Sequence, residues 1–255
     1  MNGQSSEPSI ITAMNYIIEI ATTDFTTTKS AIIGGADRIE LCAALSDGGT
    51  TPSYGTIKKC RETFAAELFP IIRPRGGDFL YTDEEYSMML EDIAVCKLLG
   101  CDGIVTGILN CDGTIDVERT SKMIHLAYPM EVTVHRAFDR CIDPFAALEQ
   151  LIQIGCQRIL TSGQKQTATE GIDLITALIK AANDRIVIMP GSGVRVENIK
   201  ELKDQTGAVE FHSSMRSTVD SGMKFMHSSF GKEDSYSNPG IDAKNVRALR
   251  EALKN

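Results

Sequence analysis

The sequence predicts an α/β protein, a single (β/α)8 TIM-type barrel, from three observations. Short β-branched runs alternate with longer helix-period segments from end to end, which calls for parallel strands joined by right-handed crossovers. Eight such runs occur, with starts 22 to 35 residues apart. At 255 residues the chain has the size of such a barrel. No G-x-G-x-x-G opens the first unit, where a dinucleotide-binding sheet would want it.

In order, the predicted strands are 16–20, 38–41, 68–72, 103–106, 131–135, 158–161, 186–189 and 209–212. Between them the helix signals are readable. Thr82-Asp-Glu-Glu85 is a capping box ahead of Tyr86, Met89, Leu90 and Ile93, which share one helical face. Asp143-Pro144 supplies an N-cap followed by proline at the first helical position. Gly100, Gly155 and Gly207 punctuate helix ends. Two segments stand outside the rhythm. Residues 1–13 read as a frayed polar tail before a barrel domain over 14–255. Residues 215–240, rich in Ser, Gly and charge, read as a long structureless connection, of the kind used as a lid or binding loop, before a last helix over 241–254.

Composition narrows the function. With 26 Lys and Arg against 34 Asp and Glu, the net charge is −8. Binding to duplex nucleic acid or to an anionic membrane needs the opposite balance. No uncharged apolar run approaches the ~20 residues that cross a bilayer. The first 18 residues contain Glu7 and no Lys or Arg, so a secretory signal is not indicated and a cytoplasmic location is expected. The seven cysteines form no Cys-x-x-Cys pair, which fits buried thiols in a reducing compartment rather than a disulfide framework or zinc knuckle.

Alternation along each strand sorts the candidate site. One parity is apolar and should face the helices: Ile18, Ile20, Ile39, Leu41, Val132, Val134, Val209 and Phe211. The other carries Glu19, Glu40, Arg73, His135, Glu210 and His212, mostly at C-terminal strand ends, where catalytic barrels place their working groups. Glu19 and Glu40, on neighbouring strands, can be held at different pKa values as an acid/base pair, and His135 and His212 can act as acid, base or metal ligand. Arg38, Glu131 and Glu210, lower in the barrel, suit a structural ion network. Arg73 and Arg75, extended around Pro74, read either as a clamp for an anionic ligand or as partners of Glu19 and Glu40. Gly191 and Gly193 after strand 7, Ser213 after strand 8 and Ser162 after strand 6 offer donors for an acidic group. Lys165 lies too far beyond its strand for a Schiff base. Cys42 shares the parity of Glu40 and is expected at the rim, where a thiol suits Cu(I). Met215, Met223, Met226 and His227 define no metal box and read as packing.

These residues resemble the CutC family. Gly35-Ala-Asp-Arg-Ile-Glu-Leu-Cys42, Gly48-Gly-Thr-Thr-Pro-Ser53, Ile72-Arg-Pro-Arg-Gly-Gly-Asp-Phe79, His135-Arg-Ala-Phe-Asp139, Leu160-Thr-Ser-Gly163 and His212-Ser-Ser214 carry the likeness, which covers about residues 16–255. The 217–225 stretch is similar to the animal-type members. The resemblance implies a cytoplasmic TIM-type barrel, a homo-oligomer (dimer or tetramer), and copper-ion binding in copper homeostasis, with Cys42 as metal ligand. It brings Arg136 and Asp139 of the His-Arg-Ala-Phe-Asp string into the ligand-binding set. Many relatives carry a second cysteine at the position of Ala21, which halves the soft donor pair here. The residues thus support two functions: a copper-binding protein, or a barrel enzyme acting by acid/base chemistry on a small anionic, phosphorylated or sugar-like metabolite. No nucleotide-cofactor motif is present.

Overall fold

The computed structural model describes residues 16–229 and 236–254. Eight parallel strands run β1 (Ile17–Thr22), β2 (Arg38–Leu41), β3 (Glu67–Pro70), β4 (Gly103–Thr106), β5 (Glu131–Val134), β6 (Arg158–Thr161), β7 (Val187–Pro190) and β8 (Glu210–Ser213). They pair in the orders β3-β2-β1-β8 and β4-β5-β6-β7. The two halves join where Ile71 bridges Val105 and where β7 lies against β8. Seven helices follow the first seven strands: α1 (Phe25–Gly34), α2 (Tyr54–Thr63), α3 (Asp83–Leu98), α4 (Val117–Ala127), α5 (Pro144–Gln153), α6 (Ile172–Ala182) and α7 (Ile199–Thr206). The last, α8 (Ala243–Lys254), packs beside α1 and α7. This is the (β/α)8 barrel.

The local signals act as expected. Thr82 and Glu85 form a reciprocal capping box on α3, and Asp143 caps α5 with Pro144 behind it. Gly100, Gly155 and Gly207 all take left-handed backbone. The outward parity buries Ile18, Ile20, Ile39, Leu41, Val132, Val134 and Phe211 against helix residues such as Met89, Ile93, Leu148 and Leu249. Each side chain so removed from water contributes about 1.5–3 kcal/mol. Val209 departs from this set: it precedes β8 and is exposed.

The lower interior holds a ring of charge around the Phe69 ring. Arg38 donates to Glu67 (3.0 Å) and Glu210 (2.7 Å), and Arg158 donates to Glu210 (2.5 Å) and Glu131 (3.1 Å). Both guanidiniums lie over Phe69, at 4.9 and 5.6 Å from its centroid. The expected network of Arg38, Glu131 and Glu210 is therefore present, with Arg158 and Glu67 as further members.

The described part of the 215–240 connection is not structureless. β9 (Arg216–Asp220) pairs antiparallel with β10 (Ser237–Ile241), Arg216 opposite Ile241, so a hairpin stands between β8 and α8. All of β9 is solvent-exposed, so it lacks the alternation that marks a half-buried strand. Ile241 closes β10, and α8 begins two residues later. Met215 packs in the core, whereas Met223 and Met226 are exposed and pack less than expected. The tail over 1–13 lies outside the described residues.

Candidate active site at the barrel mouth

A cavity of about 1080 Å³ opens at the C-terminal ends of the strands. Its floor is an array of acidic and imidazole groups. Glu19 comes from β1, Glu40 from β2 and His212 from β8, all inward-facing on adjacent strands. His212 Nδ1 lies 2.7 Å from Glu19 Oε1, and its Nε2 is 3.8 Å from Glu40 Oε2. Glu19 is fully buried behind His212, and Arg38 approaches its second oxygen at 3.5 Å.

The two carboxyls are driven in opposite directions. Burial pushes Glu40 up, and the negative charge of Glu19 adds to it against the pull of His212. Burial acts the same way on Glu19, but the hydrogen bond and charge of His212, with Arg38 and Arg158, outweigh it and hold Glu19 below the usual carboxylate range. Burial would lower His212, yet its bond to Glu19 and the charges of both carboxyls raise it. Glu19 thereby fixes the Nδ1–H form of His212 and leaves Nε2 facing Glu40.

His135 follows β5 and is neutral: burial, then the nearby Arg73 charge, lowers it to about 3. Its Nδ1 accepts the Ala137 N–H at 3.2 Å, so the ring proton sits on Nε2. Gly107 makes room for this ring, since a Cβ there would come within 2.7 Å of Nδ1. Gly191 plays a similar part opposite, where a Cβ would meet Leu160 Cδ1 at 2.3 Å and His212 Cβ at 3.3 Å.

Arg73 is buried at the cavity wall, bound neither to Glu19 nor to Glu40. Its Nη1 donates to the carbonyls of Asp47 (2.9 Å) and Gly49 (2.8 Å), and its Nη2 donates to that of Gly77 (2.9 Å). The Gly48-Gly49 turn, with φ of 88° and 89°, wraps the guanidinium. Arg75 does not join it. Arg75 turns instead to Asp78 (3.1 Å) in its own loop and to Glu85 (2.6 Å), the capping carboxylate of α3, and lines no part of the cavity.

On the opposite wall Arg136 is held in a fork. It donates to Asp139 (2.7 Å), Ser162 (2.7 Å) and Ser192 (3.2 Å). Asp139 also accepts from Thr161 (2.5 Å) and from the backbone N–H groups of Ser162 (3.0 Å) and Gln164 (3.1 Å). Ser162 and Asp139 thus fix Arg136, with Asp139 at the cavity edge and Ser162 behind it. Ser213 lines the cavity, but its hydroxyl donates to Val194 O (2.7 Å) and ties the β7 and β8 loops together. Gly193 lines the cavity, whereas Gly191 only shapes it.

Cys42 is not at the rim. It is fully buried behind Glu40, donates to it at 3.4 Å, and packs with Phe69, Ile71 and Val105. Its thiol is pushed well above the ordinary range, first by burial and then by Glu40. Cys42 keeps the inward parity of Glu40, its N–H donating to the Thr22 carbonyl (2.8 Å), but the loop at Gly49 closes over the thiol, which a Cβ on Gly49 would approach to 3.3 Å.

Sequence reasoning missed the basic rim. Arg140, Lys165, Arg195 and Arg216 line the mouth and form no ion pair among the described residues. It also missed four non-glycine residues with left-handed backbone just past strand ends: Ala44 (φ 42°), Gln164 (57°), Ser192 (73°) and Met215 (42°). Such strain gathers at functional loops. No residue type signalled it.

A CutC family profile matches residues 16–217. A family protein CutC of Parabacteroides distasonis is 54% identical over 213 residues, covering 83% of this chain and 88% of its own. A human protein named copper homeostasis protein cutC homolog is 46% identical over 248 residues, covering 95% and 91%. The crystal structure of a CutC protein from Streptococcus agalactiae aligns with a TM-score of 0.74 at 35% identity, covering 77% of this chain and 97% of that one.

Proposed function

The chain belongs to the CutC family, and we propose that it is a barrel enzyme acting by acid/base chemistry on a small anionic, phosphorylated or sugar-like metabolite. One observation carries this reading: Glu19 and Glu40, pushed to opposite sides of their ordinary range, are bridged by His212 on the floor of a cavity. Pairs of titratable groups driven apart in this way are how a site holds an acid and a base at one pH. In this reading Glu40 and His212 exchange protons with the substrate, and Glu19 orients His212. Arg73, Arg136 and the basic rim draw in and orient the anion, which a locally positive mouth can do on a chain of net charge −8.

A thermal-shift screen with sugar phosphates and small carboxylates tests the reading. At least one should stabilise the wild type, since a ligand confined to the folded state raises its stability. Arg136→Gln should shrink that shift. If no compound in either class moves the midpoint, the charged groups are a structural network and the proposal fails.

By homology this is a copper homeostasis protein, and copper is the second reading. It is favoured by Cys42, Glu40 and His212 lying in succession. The donors nevertheless fit copper poorly. The thiol is kept protonated, position 21 is alanine, and no group of three His, Cys, Asp or Glu among the described residues can hold a metal. Cu(I) added to the reduced protein against a competing chelator tests it, because unchanged affinity in Cys42→Ala would remove the site. A cytoplasmic setting belongs to the same proposal, supported by seven free cysteines. So does a homo-oligomer, supported by exposed Ile142 and Phe145 at the start of α5.

A further inference from the structure

A second cavity, of about 570 Å³, lies between the barrel and the β9–β10 hairpin. Thr22, Thr23 and Thr27 wall it on the β1–α1 side, Leu45 on the side of the loop after β2, and Thr218 and Ile241 on the hairpin. It adjoins the mouth, since Ala21, Leu45, Ser46 and Arg216 line both cavities. Leu45 is half-buried and Ser46 and Arg216 are exposed, so this common border presents accessible surface. Ala21 stands beside Glu40 in the pairing of β1 with β2, which sets the floor of the border next to the acid/base array. The chemistry of the two spaces differs. Arg216 is the one charged group among the described residues that line the second cavity. Its threonines have little left for a polar ligand: the Thr22 hydroxyl bonds that of Thr28 (2.9 Å), that of Thr23 donates to the Asp24 carboxylate (3.0 Å), and that of Thr27 donates to the Asp24 carbonyl (3.1 Å). The outer wall is held in place. β10 packs on α1, and a Cβ at Gly240 would come within 2.6 Å of Val219 Cγ2, so the hairpin strands are closely joined. Ala44, which lines this cavity, and Met215, which leads into β9, both have a φ of 42°. Such strain in non-glycine residues persists where the surroundings hold it, and it gathers at ligand clamps.

We propose that the second cavity takes the apolar tail of the molecule whose anionic head enters the mouth, with Arg216 pairing the head at the junction, so that the substrate class is small acids carrying an alkyl or aryl tail. This deepens the acid/base reading, on which it rests for the head group. The cavity lies within the roughly 300–1,000 Å³ of ordinary small-molecule sites, with room for a short alkyl chain or one aromatic ring. A polar substituent would lose its hydration there without gaining partners, whereas an apolar one gains by leaving water. Leu45 and Thr218 present accessible surface to the tail from opposite sides, and they set the length that fits. The hairpin between β8 and α8 thereby selects the substrate, and Arg216, its first residue, joins the selecting pocket to the basic rim.

Unbranched 2-oxo acids, from pyruvate to 2-oxooctanoate, are the probe, titrated calorimetrically into the full chain. Burying one methylene multiplies affinity about fourfold, so affinity should climb by that factor per carbon and level off once the cavity is filled. Thr218→Phe puts a ring into the cavity from an exposed position of β9 and should flatten the climb. A second measurement needs no variant. In methyl-labelled protein 2-oxooctanoate should shift the resonances of Ile241, which lines only the second cavity, and pyruvate should leave them in place. A flat series, an equal climb in Thr218→Phe, or Ile241 resonances unmoved by 2-oxooctanoate would overturn the assignment. Its failure and that of the acid/base reading are distinguishable. If affinity climbs with chain length while proton exchange in D2O is as fast in Glu40→Gln as in the wild type, the cavity holds a tail and the acid/base reading fails. If exchange depends on Glu40 and the series is flat, that reading stands and the tail assignment fails.

Discussion

His135 shows how one side chain can report on the whole pocket. Its folded-state pKa of about 3 lies below the ordinary 6.5. The unfolded chain therefore binds this proton more readily than the folded one. The stability it contributes is complete above pH 6.5 and drains away as pH falls toward 3. Between pH 6.5 and 5 that amounts to about 2 kcal/mol. His212 works the other way, since a raised histidine favours the folded state as pH falls. The difference between wild type and His135→Gln isolates the first effect. Urea midpoints at pH 7 and pH 5 should draw closer together in the variant, and identical pH dependence would mean that His135 is not held neutral. At this scale the sequence was informative for Glu19, Glu40, His135 and His212, because a charged or polar residue on the inward parity of a strand has few places to go. It was uninformative for Arg73 and Cys42. Arg73 Nη1 is satisfied by backbone carbonyls, which every residue type supplies, and Cys42 keeps the predicted inward parity but is covered by the loop at Gly49, a contact that no residue type announces.

Among elements, the loops after β5 and β6 are locked by Asp139. It gathers Arg136, Thr161 and the N–H groups of Ser162 and Gln164. Asp139→Asn keeps one acceptor and loses the charge, so about 1–3 kcal/mol of stability should go. Arg136 should also lose its fixed orientation, visible as a weaker thermal shift by any anion that stabilises the wild type. Unaltered midpoint and unaltered shift would place the clamp outside both roles. The β9–β10 hairpin was the element the sequence concealed. All five residues of β9 face solvent, and Pro239 interrupts β10, so neither the period-2 pattern nor strand propensity marks them. The eight barrel strands were legible for the converse reason, since one apolar parity of each is buried against helices.

At the scale of the molecule, the barrel's lower interior spends polar groups where apolar ones would serve. Arg38 and Arg158 converge on Glu210, all three buried. Glu210→Gln leaves two guanidiniums without their shared counter-charge, and should destabilise the fold by about 3–5 kcal/mol in urea unfolding. A loss below 1 kcal/mol would show that water or Glu67 and Glu131 compensate. Arg158 could have been found from the sequence, since like Arg38 it opens a strand and faces inward, whereas its convergence on Glu210 depends on barrel closure. Arg38 also reaches Glu19. One charged column thus joins the structural network below to the acid/base array above, and the network sets the charge against which Glu19, His212 and Glu40 titrate.

Proton exchange at the mouth tests that array directly. Small oxo- and hydroxy-acids, free and phosphorylated, would be incubated with the protein in D2O and followed by 1H NMR. The expected result is loss of the proton next to the carbonyl in at least one compound, slowed a hundredfold or more in Glu40→Gln and in His212→Asn, the scale of general acid/base assistance. Exchange that proceeds equally fast in both variants, or fails with every compound in the wild type, would contradict the account.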